Sequence, residues 1–270
     1  MKVAAFALTS HKNQSRWQYV RELWGRHFDA FYFASDYAPE GCDASVLALT
    51  RDDSYGSNEI KEIRRIQFAA RLAADFDWFF FGDDDTFVNV DRLYAYLSQL
   101  EATGAVVGHV LDGYYTRDPA LRFCSGGAGF CMSTSTLTRI AQFFGSRVYH
   151  RHGHRLSRIQ SALAPHSRNA VARAVLNAIS QYYSRGPYSF RTDCADVAVG
   201  AACRALHVPL HHSALFRTDA PARPEAILEA ITVHCIRDHA SALALDQVLR
   251  TDRERNRPGA DSSPAPGRMR

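Results

Sequence analysis

Three consecutive aspartates, Asp83, Asp84 and Asp85, follow an apolar run from Trp78 to Phe81 after a single glycine. Adjacent carboxylates repel one another and resist desolvation unless something positive sits among them. Hard divalent cations take carboxylate oxygens as ligands, and magnesium or manganese held in this way keeps positions for a substrate's phosphates. The competing reading is a turn. Leu93, Leu97 and Leu100 recur at i, i+4 and i+7, which predicts a helix just downstream with Asn89 or Asp91 as its cap. On this stretch alone a metal site and a capped turn both stand.

The elements that would carry these residues are legible as periodicity. Apolar runs at 3–9, 30–34, 45–49, 77–82, 104–110, 128–133 and 231–236 predict strands, several of them apolar on both faces. Helical spacing joins Trp17, Val20 and Trp24, and again Ile60, Ile63, Ile66, Ala70 and Ala73, the second helix opening at Ser57 or Asn58. Alternating strands and helices predict an α/β fold, a Rossmann-like mixed central sheet flanked by helices. Ligands of such sheets bind beyond the carboxyl ends of strands, where Asp83 to Asp85 stand.

The 270 residues suffice for one large domain or two small ones, and a formal net charge of +4 is too mild to indicate a nucleic-acid partner. The first strand, within MKVAAFALTS, is too short to span a membrane and lacks a signal-peptide layout, so a cytoplasmic location in a bacterium is expected. Cys42, Cys124, Cys131, Cys194, Cys203 and Cys235 form no CxxC pair or zinc spacing, and reduced thiols are expected. A single domain is assigned to 1–250, with a basic helical insertion at about 147–190 and a disordered tail from Thr251 to Arg270. No acidic residue occurs from Pro119 to Thr192, while Arg151, Arg155 and Arg158 fall within the insertion. Residues 147–185 read either as a solvated surface or as a peripheral contact with the inner face of the membrane or an anionic acceptor.

DSYGSNEIK (53–61), the acidic turn, CSGGAGF (124–130) and DCADVAVG (193–200), taken in this order, resemble the Fringe-like and β1,3-glycosyltransferases of glycosyltransferase family 31. The resemblance covers about residues 3–130 and 190–236. It implies a GT-A fold, a UDP-sugar donor, a glycan or lipid-linked acceptor, a divalent cofactor (Mn2+ or Mg2+) and inversion at the anomeric carbon. Carried over by position, Asp85 is the direct metal ligand, with Asp83 beside it toward the nucleoside and Asp84 in support. Lys61 falls near the donor site, its other reading being an exposed helix lysine. Gly126 and Gly127 give a loop whose backbone can approach a sugar or phosphate, or else a tight turn.

The family's later motif has two acids before an apolar–x–apolar–Gly run; here Asp196 takes the second position and Ala195 the first. Asp196 is therefore the candidate base that deprotonates the acceptor hydroxyl, with Asp193 as the alternative. His234 corresponds to a histidine that closing strands of many metal-dependent GT-A enzymes supply to the ion, its other reading being a core residue. Two further functions compete. A sugar nucleotidyltransferase is disfavoured because LTSHKNQSR after the first strand has no glycine. A nucleotide-sugar or glycan-binding module without catalysis is favoured only by Ala195.

Overall fold

The computed structural model of the chain describes residues 1–40, 45–51, 57–100, 104–113, 120–146 and 195–256. The segment 147–190 expected to be a basic insertion, the membrane contact expected of 147–185, and Asp193 lie outside these residues. Seven strands form the central sheet: β1 (Val3–Leu8), β2 (Ala30–Ser35), β3 (Val46–Ala48), β4 (Trp78–Asp83), β6 (Val106–Gly108), β9 (Phe130–Ser133) and β10 (Leu210–His212). Their order is β10-β6-β9-β4-β1-β2-β3. Only β9 runs against its neighbours, β4 and β6, and every other pairing is parallel. This is the mixed α/β sheet the periodicity predicts.

Period-2 alternation explains why the sheet is buried on both sides. Val3, Ala5, Ala7, Trp78 and Phe80 face one core. Ala4, Phe6, Phe79 and Phe81 face the other. The first face is covered by α1 (Gln14–Leu23), α3 (Val90–Ser98) and α6 (His239–Arg255), through residues such as Val20, Leu93, Leu97 and Leu245. The second is covered by α2 (Asn58–Ala69), α4 (Thr134–Gly145) and α5 (Ala195–Ala205), through Ile66, Ile140, Phe144 and Val197. The register of β1 on β4 pairs Leu8 with Asp83, so the loop after β1 and the acidic turn leave the sheet side by side.

Asn89 caps α3 by accepting the Arg92 N–H at 3.2 Å. Two antiparallel pairs complete the fold: β5 (Phe87–Val88) with β11 (Thr232–Val233), and β7 (Val110–Asp112) with β8 (Arg122–Cys124). Three expectations need correction. The strand expected over 231–236 stops at Val233, because Cys235 has φ 66° and cannot continue an extended chain. The strand expected over 104–110 is divided at His109 into β6 and β7. Thr251 does not begin a disordered tail, since α6 continues to Arg255 and residues 257–270 lie outside the described ones.

Gly200 lets α5 rest on β8: a Cβ there would lie 2.5 Å from Phe123 Cβ and 2.6 Å from the Arg122 carbonyl oxygen. Both atoms are fixed near the backbone, so relief requires moving the helix. Gly200→Ala is expected to destabilise the fold by about 1–3 kcal/mol, read as a lower urea midpoint. An unchanged midpoint would contradict this packing.

Candidate active site

The acidic turn does not present its three carboxylates alike. Asp84 points back toward the loop after β1, where its Oδ2 accepts the Thr9 hydroxyl at 2.5 Å and its Oδ1 pairs with Arg16 Nη1 at 2.6 Å. Trp17 Nε1 in turn donates to Thr9 Oγ1 at 2.9 Å. Both oxygens of Asp84 are thus committed, and this residue fastens β4 to the start of α1.

Asp83 and Asp85 face the other way and meet His234. One ligand atom from each of the three lies within 4.8 Å of the other two. Asp85 Oδ1 is 3.1 Å from His234 Nε2, and Arg237 Nε approaches Asp85 Oδ2 at 3.4 Å. His234 Nδ1 lies 3.1 Å from the Thr218 carbonyl oxygen. A carbonyl only accepts, so Nδ1 carries the proton and Nε2 is the nitrogen turned toward the carboxylates. The β11–β5 pairing brings this histidine to the acidic turn, and the Ile236 N–H donates to the Asp85 carbonyl at 2.9 Å.

The three side chains fit a hard divalent cation. They supply two carboxylates and an imidazole whose second nitrogen is already oriented by a carbonyl, the arrangement commonly seen behind metal-bound histidines. Among the described residues no hydrogen bond reaches the Asp83 carboxylate. Burial pushes its pKa up to about 7, against Arg65 and with the like charge of Asp85 adding to the rise. Burial also acts to raise Asp85, but the hydrogen bond and charge of His234 outweigh it and hold Asp85 below the usual carboxylate range. For His234 burial lowers the pKa, yet Asp85 and Asp83 more than offset it and the net shift is upward.

A proton on Asp83 or on His234 Nε2 competes with a cation, whereas Asp85 is ionised across the neutral range. Manganese affinity is therefore expected to rise with pH through about 7 and then level, falling roughly tenfold per pH unit for each competing proton below that. Manganese titrations between pH 5.5 and 8.5 followed by electron paramagnetic resonance check this. A flat profile would contradict it.

The glycine loop serves the histidine and the candidate base. A Cβ on Gly127 would lie 2.3 Å from His234 Cε1, so the ring rests directly on a bare backbone. The Gly127 carbonyl accepts the Thr86 hydroxyl at 2.7 Å, which ties this loop to the acidic turn. The Gly126 N–H is committed to Asp196 Oδ2 at 2.9 Å, so this donor faces a side chain of the same chain. Asp196 Oδ1 accepts the Val197 N–H at 2.9 Å in the first turn of α5. Burial raises the pKa of Asp196 although these N–H donors pull it down.

Two cavities meet at Leu8, Asn58 and Asp83. The first, of about 340 Å³, is bordered by Lys12, Asn13, Arg16 and Lys61 as well as the three aspartates. The second, of about 440 Å³, is bordered by Glu62, Gly126, Gly127, Ala195, Asp196 and His234. Lys61 is not an exposed helix lysine: it is 1% exposed, and its Nζ donates to the Thr9 carbonyl at 3.1 Å.

Several residues here escape sequence reasoning. Arg16 stands in the first turn of α1, just past the loop after the first strand where ligands of parallel sheets bind, and that position is the only signal it gives. Glu62 and Arg65 form a buried ion pair beneath the site, and Arg65 Nη1 donates to the Gly82 carbonyl at 2.8 Å. They belong with Ile66 and Ala69 to one i, i+3, i+4, i+7 ridge of α2, which identifies them as inward-facing once the ridge is drawn.

A family model described as Fringe-like matches residues 7–163. Over 151 residues the chain is 27% identical to a Xenopus laevis glycoprotein-N-acetylgalactosamine 3-beta-galactosyltransferase 1, covering 55% of this chain and 40% of that protein. It is 31% identical over 114 residues to the human UDP-GlcNAc:betaGal beta-1,3-N-acetylglucosaminyltransferase 9, covering 36% and 28%. A human chondroitin sulfate glucuronyltransferase is 34% identical over 121 residues, covering 45% and 16%. The chain thus spans well under half the length of each of these relatives.

Proposed function

The chain belongs to the Fringe-like family, and from that premise we propose that it is a metal-dependent inverting glycosyltransferase. Its donor is a UDP-sugar carrying a hexose or N-acetylhexosamine, and its acceptor is a hydroxyl of a glycan or a lipid-linked sugar, with a β1,3 linkage as the reading the relatives' names favour. The observation that carries the proposal is the position of the Asp83, Asp85 and His234 cluster, with Asp83 at the junction of two unlike cavities.

In this reading the first cavity receives the nucleoside diphosphate, whose charge suits Lys12, Arg16 and Lys61. The second receives the transferred sugar and the attacking hydroxyl. Asp83, Asp85 and His234 would hold manganese or magnesium, which when bound supplies Lewis-acid stabilisation of the departing diphosphate. The chain's own groups do the rest. Arg16, itself held by Asp84, and Lys61 add positive charge where negative charge accumulates on the leaving group.

Asp196 takes the acceptor's proton as the new bond forms. The Gly126 and Val197 N–H donors fix the orientation of its carboxylate, and each oxygen retains lone-pair capacity for that proton. Burial shifts the pKa of Asp196 upward, the direction that makes a carboxylate a stronger proton acceptor.

Ala195, where the family motif has an acid, favours a second reading, a nucleotide-sugar-binding module without turnover. Measuring UDP release from a panel of UDP-sugars with manganese, with and without glycan acceptors, separates the two. Release that depends on manganese and accelerates with an acceptor supports the transferase. Binding without release supports the module, and neither binding nor release rejects both.

A further inference from the structure

Among the described residues, Leu8, Asn58 and Asp83 border both cavities. Leu8 is apolar, and the Asp83 carboxylate only accepts hydrogen bonds once ionised. Of the three, Asn58 alone brings a side-chain N–H donor to the junction. It is the first residue of α2, on the same turn as Lys61, whose Nζ is committed to the Thr9 carbonyl. The Asn58 amide carries no such commitment. It has no hydrogen-bond partner among the described residues, and the half-buried side chain keeps both its nitrogen and its oxygen open to solvent. An accessible amide with no structural task, placed where two cavities join, is free to meet a ligand in either.

We propose that Asn58 is a diphosphate-positioning residue, its amide N–H donating to an oxygen of the donor's β-phosphate. The inference rests on the transferase reading and adds to it a contact with the leaving group. If the nucleoside diphosphate fills the first cavity and the transferred sugar the second, the β-phosphate is the group that lies at their junction. The chemistry of the position suits an amide. Asp83, Asp84, Asp85 and Glu62 border the two cavities here, so a cationic side chain at 58 would pair with a carboxylate and an acidic one would repel the phosphate. A neutral N–H donor serves the phosphate while leaving Asp83 and Asp85 to a cation. The contact also strengthens as negative charge gathers on the departing diphosphate.

Calorimetry at pH 8 with manganese, using UMP, UDP, UDP-galactose and UDP-N-acetylglucosamine, tests this on the wild-type chain, Asn58→Ala and Asn58→Asp. UMP lacks the β-phosphate and reports the rest of the nucleotide cavity. Asn58→Ala is expected to leave UMP affinity unchanged and to weaken UDP and the better-bound UDP-sugar equally, by about tenfold. Asn58→Asp keeps the shape of the side chain but replaces the donor with a like charge, and is expected to weaken UDP by about a hundredfold. Neither change removes a hydrogen bond among the described residues, so both variants are expected to keep the urea midpoint of the wild type.

Equal weakening of UMP and UDP would mean that Asn58 only shapes the nucleotide cavity, and would overturn the proposal. A loss confined to the UDP-sugars, which would place the contact on the sugar, would overturn it too, as would wild-type UDP affinity in Asn58→Asp. A lowered urea midpoint in both variants would give Asn58 a structural task and contradict the premise. Wild-type protein that ignores UDP in the presence of manganese would remove the transferase reading and this inference together, whereas normal wild-type binding with an indifferent Asn58→Ala would remove this inference alone.

Discussion

Asp85→Ala is expected to abolish manganese-dependent binding of the UDP-sugar, a loss of at least about a hundredfold, while leaving the sheet and its melting behaviour nearly intact. The size of the effect follows from the geometry. Asp85 is the carboxylate that remains ionised at every working pH, and its Oδ1 is the one facing His234 Nε2 at 3.1 Å. Removing it leaves Asp83, which burial keeps partly protonated near neutrality, and one imidazole. The fold should tolerate the change because the turn is held by other bonds. The Thr86 N–H donates to the Asp83 carbonyl, Asp84 pairs with Arg16, and the Ile236 N–H meets the Asp85 backbone carbonyl. Calorimetric titration of UDP-sugar with and without manganese reads the outcome, and unchanged metal-dependent affinity would remove Asp85 from the site.

Asp196→Asn is expected to lower kcat by roughly two to four orders of magnitude with donor affinity near that of the wild type. An asparagine keeps a carbonyl oxygen for the Gly126 N–H, so the loop that supports His234 stays in place. What disappears is the capacity to take a proton. Asp193→Asn should do much less. The reverse ranking would show that the motif containing Ala195 has its base at Asp193, and a loss of donor affinity in Asp196→Asn would show that the carboxylate organises the glycine loop instead.

Much of this architecture is legible in the sequence because it rests on period and burial. Trp78 to Phe81 are apolar at consecutive positions because both faces of β4 are covered, and Asn89 or Asp91 reads as a cap ahead of the Leu93, Leu97, Leu100 stripe, the structure giving the cap to Asn89. The short strands β5, β8 and β10 escape, since two or three residues carry no period of their own. The end of β11 escapes for a different reason: a left-handed Cys235 has no compositional signal.

The site divides in the same way. Asp83, Asp85 and His234 were assembled through the resemblance, and the fold brings them within reach of one another across 149 to 151 positions of chain. The division of labour inside the aspartate triplet was not legible, because it depends on Thr9 approaching Asp84 from the loop after β1 and Arg16 from the first turn of α1. Nor could Gly126 and Gly127 be read correctly in isolation. Their openness serves Asp196 and the His234 ring, both of which arrive from distant parts of the chain.

Pulsed electron paramagnetic resonance of bound Mn2+ in the presence of UDP tests most directly whether one cation joins this cluster to a diphosphate. The account predicts coupling to one imidazole nitrogen, lost in His234→Ala, together with phosphorus coupling from UDP in the same spectrum. Phosphorus coupling with no nitrogen coupling, or a manganese spectrum indifferent to UDP, would contradict it.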